Sequence, residues 1–140
     1  MESDVHMDYV RWIMAYIGGI LPRDACAFIE ADLPESPNRP IPVINGYRPD
    51  VYLSSPQYIV IGEAKTLNDV RNRHTQEQIV SYVSELKTHN KNRHLVVCTS
   101  LLATAELKNM IRRLSQKYDF SGIRVHCIND LGVNISVWDF

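Results

Sequence analysis

A chain of 140 residues with a hydrophobic fraction of 45% has the size and composition of one domain able to bury one core, here residues 1–140. Fifteen Lys and Arg against sixteen Asp and Glu leave a net charge of −1, which excludes a polyanion-binding surface spread over the whole molecule, so any nucleic-acid footprint must be local. The cysteines Cys26, Cys98 and Cys127 are odd in number, far apart and set among apolar residues, which argues against a disulfide framework and for buried thiols in a reducing compartment.

From Asp4 to Ile20, Tyr9, Val10, Ile13, Met14 and Ile17 recur at helical steps behind Ser3, a suitable cap, so the first element is an amphipathic helix stopped by Gly18, Gly19 and Pro22. Arg11 and the glycine pair interrupt this apolar stretch and no basic run precedes it. It therefore reads as neither a membrane span nor a signal peptide, and the expected location is cytoplasmic, meaning intracellular, with no membrane partner. Ala25 to Leu33 reads as a short strand. Leu33 to Gly46, with Pro34, Pro37, Pro40 and Pro42 around Asn38 and Arg39, reads as a long stiff loop that either reaches a partner or simply connects.

Tyr47 to Leu53 and Gln57 to Thr66 are rich in Val, Ile and Tyr and flank Ser54-Ser55-Pro56, the pattern of a β-hairpin. Thr75 to His89 carries the helical stripe Ile79, Val83 and Leu86, with a start that the sequence also allows at Asn68 or Asp69. His94 to Thr99 has the composition of a fully buried strand. A helix with Leu107, Met110, Ile111, Leu114 and Tyr118 on one face follows, then closing strands at Arg124 to Ile128 and Ile135 to Trp138. The order α-β-β-β-α-β-α-β-β implies an α/β fold: a mixed central sheet flanked by helices, with a meander first and a helical crossover later.

Strand alternation puts Glu63 and Lys65 on one face and Ala64 on the other. Folding the hairpin about Ser55 and Pro56 brings Asp50 opposite or diagonal to Glu63, within roughly 5 to 8 Å at the Cβ atoms. Two carboxylates and a backbone carbonyl can hold Mg²⁺ through oxygen while waters and a substrate phosphate complete its shell, and a neighbouring ammonium can stabilise charge developing on the phosphate. Asp50 and Glu63 are the expected metal ligands, and Lys65 the assisting cation.

These residues, Pro49-Asp50 followed after twelve residues by Glu63-Ala64-Lys65, resemble the motif of the PD-(D/E)XK nuclease superfamily, and Gln78-Ile79-Val80-Ser81-Tyr82 is similar to the Gln-x-x-x-Tyr motif of its RecB-like branch. The resemblance covers most of the chain. It implies a restriction-endonuclease-like domain with an α-β-β-β-α-β core and a Mg²⁺-dependent endonuclease, a hydrolase acting on DNA, with Mn²⁺ able to substitute. Asp50, Glu63, Lys65, Gln78 and Tyr82 would then be site residues, and Asp50, Glu63 and the Ala64 carbonyl the metal ligands. The Holliday-junction resolvases, similar in size and order, work as dimers, which implies a homodimer here. Many members add an acidic residue from the first helix. Glu2, Asp4 and Asp8 are the acids available there and none matches by motif, so Asp8 and, on the first strand, Glu30 stand as positional candidates.

Plainer readings accompany each of these. Asp50 can be a turn carboxylate, and Glu63 with Lys65 an exposed ion pair. Thr75-Gln76-Glu77-Gln78 fits a capping box, and Tyr82 fits helix packing. The histidines His6, His74, His89, His94 and His126 lack zinc-site spacing and are assigned no ligand role. Arg71, Arg73 and His74 before the Gln78 helix, and Lys87, Lys91 and Arg93 after it, form either a basic flank or solvated surface. Trp138 and Phe140 either dock on the sheet or meet another subunit. The rival functions are a non-catalytic nucleic-acid- or protein-binding module of the same fold, and a nuclease subunit that works only with a sequence-recognising partner protein.

Overall fold

The computed structural model of the chain describes residues 3–36 and 40–140. It is an α/β protein with a six-stranded mixed open sheet, ordered β1-β2-β3-β4-β5-β6, packed against helices. The strands are β1 (Ile29–Ala31), β2 (Val51–Ser54), β3 (Tyr58–Ala64), β4 (Asn92–Thr99), β5 (Ile123–Asn129) and β6 (Ser136–Asp139). The first three form an antiparallel meander, β3–β4 and β4–β5 are parallel, and β6 returns antiparallel to β5. Parallel neighbours need a crossover over one face, and the apolar stripes of two helices supply it twice.

Helix α1 (Asp4–Ile20) starts where expected, with the Ser3 side chain accepting from the His6 N–H. Its buried residues Val10, Ile13 and Ile17 pack with Val51, Leu53, Val60, Val96 and Cys98 on one face of the sheet. On the other face, α4 (Arg73–Lys87) and α5 (Thr104–Lys117) bury Ile79, Tyr82, Leu86, Leu107, Met110 and Ile111 against Ile59, Ile61, Leu95, Val97 and Val125. Burying both faces explains why β4 reads as a continuous apolar run rather than an alternating one. At Gly62 an added Cβ would stand 2.8 Å from Ile13 Cγ2 and 2.9 Å from Val51 Cβ, so the glycine lets α1 approach β3 closely.

Several expected boundaries move. The strand expected from Ala25 to Leu33 is a single helical turn, α2 (Arg23–Cys26), followed by the three residues of β1. Pro22 with its fixed φ caps α2, and the Cys26 thiol sits under the Ile17 and Leu21 carbonyls at the end of α1. The strand expected from Tyr47 begins only at Val51. Ile44 and Tyr47 instead close on each other around Asn45 (φ 50°) and Gly46 (φ 83°), an Asn-Gly turn whose positive φ angles both residues tolerate. The helix expected from Thr75 begins at Arg73, capped by the Asn72 side chain accepting from the His74 N–H, after a separate turn α3 (Leu67–Val70). The Thr75–Gln78 capping box does not form: the Thr75 hydroxyl donates to the Asp69 carbonyl and Gln78 turns inward. A 3-10 turn (Leu101–Ala103) leads into α5, and Tyr118 ends that helix 41% exposed rather than extending its apolar stripe.

The expected free thiols are present, with Cys98 and Cys127 buried and Cys26 half-buried. Trp138 packs against the α4–α5 core, and Phe140 stands edge-on to Phe120 at 5.4 Å between ring centroids, so both dock on the sheet. No helix of the described residues is long and apolar enough to cross a membrane. Glu2, Pro37, Asn38 and Arg39 lie outside the described residues.

Candidate active site

The β2–β3 register pairs Val51 with Gly62, and one further step sets Asp50 beside Glu63 at the carboxyl end of β3. Both side chains are buried, Asp50 at 6% and Glu63 at 3% exposure. Two acids that deep need partners for every oxygen. Asp50 Oδ2 accepts the Ala64 backbone N–H at 2.9 Å, and Asp50 Oδ1 faces His6 Nε2 of α1 at 3.1 Å, so the N–H of that imidazole lies on Nε2. Glu63 Oε1 accepts from the Tyr82 hydroxyl at 2.9 Å and from Gln78 Nε2 at 3.3 Å, both on the inward face of α4 one turn apart.

The two carboxyl groups lie close enough to act on each other, and they divide their charge unequally. Burial, then the Asp50 carboxylate beside it, holds Glu63 well above the usual carboxylate range, with Lys65 and the Tyr82 hydroxyl opposing. Burial also acts to raise Asp50, but hydrogen bonds from Glu63 and His6, the His6 charge and the Ala64 N–H outweigh it and hold Asp50 below its ordinary value. A proton on the pair therefore favours Glu63 over Asp50. The same burial and the adjacent Glu63 keep the Tyr82 phenol protonated far above neutral pH.

Lys65 follows β3 directly, and its backbone N–H donates to the Cys98 carbonyl at 2.9 Å, so the chain stays tied to β4 past the last ladder residue. Its side chain is half-buried, and among the described residues its ammonium makes no hydrogen bond or ion pair. All three buried side-chain atoms without a hydrogen-bond partner among the described residues, Gln78 Oε1, Thr99 Oγ1 and Ser100 Oγ, belong to α4 or to the carboxyl end of β4. Among the described residues, the fully buried side-chain atoms with unmet hydrogen-bonding capacity thus lie on α4 and at this end of β4.

Asp50, Glu63, Gln78 and Tyr82 form one hydrogen-bonded cluster, with Lys65 close enough for its charge to act on Glu63. Neither positional candidate for a third acid joins them. Asp8 is exposed and pairs with Arg11 at 3.1 Å, and Glu30 sits opposite Tyr52 on β1. Among the described residues no group of three or more His, Cys, Asp or Glu side chains is placed to share a metal ion. The basic flank is partly committed to ion pairs: Arg71 to Glu106 at 2.6 Å and Lys87 to Asp119 at 2.7 Å.

Sequence reasoning missed His6. It lies 44 positions from Asp50, and nothing in local spacing marks it. It also passed over His94 and His126. Strand alternation in β4 does put His94 on the α1-facing side with Val96 and Cys98, which makes it an inward-facing polar residue.

No family model, curated protein or solved structure matches the chain. The α/β architecture and this acidic cluster therefore stand on their own geometry.

Proposed function

We propose that the chain is a Mg²⁺-dependent nuclease that hydrolyses DNA phosphodiester bonds as an endonuclease, on a restriction-endonuclease-like core of the PD-(D/E)XK type. The observation that carries this reading is the meeting of the Asp50 and Glu63 carboxyl groups at the carboxyl end of β3, with Lys65 next along the chain. The order α1, β1–β3, α4, β4 supports it, as does the placing of Gln78 and Tyr82 on Glu63.

Asp50, Glu63 and the Ala64 carbonyl would hold Mg²⁺, or Mn²⁺ in its place. The residues fit such an ion: the set is all oxygen, which suits a hard cation, and a cation would displace a proton held on the two neighbouring carboxyl groups. When bound, the ion supplies Lewis-acid stabilisation of the phosphate and helps ionise the attacking water. Tyr82 and Gln78 fix the rotamer of Glu63, the Ala64 N–H and His6 fix Asp50, and both carboxyl groups are thereby preorganised. Lys65 brings positive charge to the non-bridging phosphate oxygens as charge builds on them.

The test is cleavage of single-stranded, duplex, supercoiled and branched DNA, and of RNA, with Mg²⁺ or Mn²⁺, by wild type, Asp50→Ala and Lys65→Ala. Metal-dependent cutting of DNA that both substitutions abolish is the expected result. No cutting of any substrate, or cutting indifferent to both, overturns it. The two-carboxylate site favours one alternative, a binding module or a nuclease subunit that needs a partner protein, since no third acid joins Asp50 and Glu63 among the described residues. Calorimetry separates these: Asp50-dependent Mg²⁺ binding without cleavage marks the partner-dependent subunit, and no such binding marks the module. A homodimer belongs to the same proposal, because one α/β domain with a single six-stranded sheet by itself offers little surface to enclose a duplex. Light scattering that shows a monomer at high concentration overturns that part.

A further inference from the structure

At the opposite end of the sheet, at the amino ends of β4 and β5, lies a second buried polar group that the proposed chemistry does not use. Tyr16 of α1, His126 of β5 and His94 of β4 form a hydrogen-bonded row: Tyr16 hydroxyl to His126 Nδ1 at 2.7 Å, then His126 Nε2 to His94 Nδ1 at 2.9 Å. The imidazoles stack with centroids 5.1 Å apart and are only 7% and 3% exposed. Among the described residues every side-chain polar atom in the row has a hydrogen-bond partner except His94 Nε2, and His94 lines a cleft of about 450 Å³.

Proton placement follows from the chain of bonds. Burial keeps both imidazoles neutral at pH 7, so each carries one N–H. A phenol O–H is the better donor and a neutral imidazole nitrogen the better acceptor, so Tyr16 donates to His126 Nδ1. His126 Nε2–H then donates to His94 Nδ1, and the one N–H of His94, a residue that lines the cleft, is on Nε2.

The cleft also touches Lys91, Arg93 and Arg124 against one carboxylate, Asp139, which Arg124 already holds through two bonds of 2.5 and 3.1 Å. Arg93 spends its Nε on the His89 carbonyl, and its two terminal nitrogens have no partner among the described residues. Its Nη1 lies 2.9 Å from where a Cβ of Gly122 would stand, so the glycine, at φ +80°, leaves room for the guanidinium. Neighbours on β4 point to opposite faces, so a cleft touching both Arg93 and His94 curls round the lower end of the strand. Such a surface is rich in donors and positive charge; its side-chain acceptors are the Arg124-bound Asp139 carboxylate, the Asn92 amide oxygen and the Tyr58 hydroxyl.

We propose that this cleft is a binding site for a phosphate group, held by His94 Nε2–H and the guanidinium of Arg93, separate from the carboxylate cluster. It does not depend on the nuclease reading.

The experiment is NMR of the full chain with ¹⁵N-labelled histidine, titrated with sodium phosphate and, in parallel, with sodium chloride at equal ionic strength. Both His94 and His126 are expected as Nε2–H tautomers, with His94 shifting saturably in phosphate alone. Arg93→Gln, at a half-buried position, weakens that response about tenfold, the loss of one charge-assisted hydrogen bond. Asp50→Asn leaves it unchanged. A short DNA oligonucleotide that moves the same resonances at lower concentration identifies a phosphodiester as the ligand, and a response to inorganic phosphate alone identifies a free phosphate group. The opposite tautomers, a response equal to that of chloride, an unaltered response in Arg93→Gln, or a response lost in Asp50→Asn each overturns the proposal.

Discussion

The two ends of the central strands solve the same problem differently. At the carboxyl end of β3, Asp50 and Glu63 are buried side by side. Ionised carboxylates only accept hydrogen bonds, and the four donors that reach them, from Ala64, His6, Tyr82 and Gln78, favour the charged forms, but burial and the adjacent Asp50 still raise Glu63. At the amino end of β4, His94 and His126 are as deeply buried. A neutral imidazole is donor and acceptor at once, so a row of them closes without net charge. The acid end thus carries negative charge that burial opposes, and the imidazole end carries none.

The largest expected effect concerns the acid end as a reaction centre. Under the proposed function, Asp50→Ala and Lys65→Ala each lower Mg²⁺-dependent cleavage by about 10² to 10³-fold, the scale of one lost preorganised electrostatic group. Steady-state rates on the preferred DNA substrate check this, and a loss confined to KM would reassign Lys65 to ground-state binding.

The two ends should respond to pH with opposite signs. Burial first, with Arg124 repulsion, and for His126 the neighbouring His94, pulls both imidazoles down to about 4 from 6.5, while Asp139 opposes. A depressed folded-state pKa means stability is complete above 6.5 and is lost as pH falls toward 4. Each pKa unit corresponds to about 1.4 kcal/mol. Glu63 is raised instead, so its contribution is present below the ordinary carboxylate pKa and declines as pH rises. Denaturant unfolding across pH should show His126→Phe flattening the acid limb and Glu63→Gln the alkaline limb; parallel profiles for the two variants would break the contrast.

Gly62→Ala should cost about 1 to 3 kcal/mol in chemical denaturation, because its Cβ meets Ile13 and the backbone-anchored Val51 Cβ rather than a flexible side-chain end. Stability unchanged by that substitution would mean that α1 can move off β3 without loss. The smallest effect is Tyr82→Phe, which removes one hydrogen bond to Glu63 and should cost about 1 kcal/mol. A matching Tyr16→Phe reads the other end, where His126 Nδ1 loses its donor; an equal or larger cost is expected there, because Glu63 Oε1 keeps the Gln78 donor and His126 Nδ1 has no second one among the described residues.

Local pattern carried much of this molecule. The α1 stripe behind Ser3, the apolar run of β4 and the Ser54–Pro56 turn are readable because each depends on residues within a few positions. The Asn45-Gly46 turn is equally local and falls in the stretch expected as loop; by closing on Tyr47 it delays the strand expected from that residue to Val51. Gln78 shows the limit of such reading. Its spacing from Thr75 satisfied a capping pattern, yet Asn72 caps the helix and Gln78 reaches Glu63, because an inward position opposite a buried carboxyl group outweighs a solvent-exposed cap.

By itself the sequence determined the order of the long helices and the strands and the hairpin that brings Asp50 beside Glu63, consequences of periods of 2 and 3.6 residues. Only the tertiary structure decided that α1 lies on the face opposite α4 and α5, that His6 reaches Asp50 across 44 positions, and that Tyr16 reaches His126 across 110. Those contacts come from the packing of whole faces against one sheet, and no local spacing encodes which distant side chain a buried polar group will find.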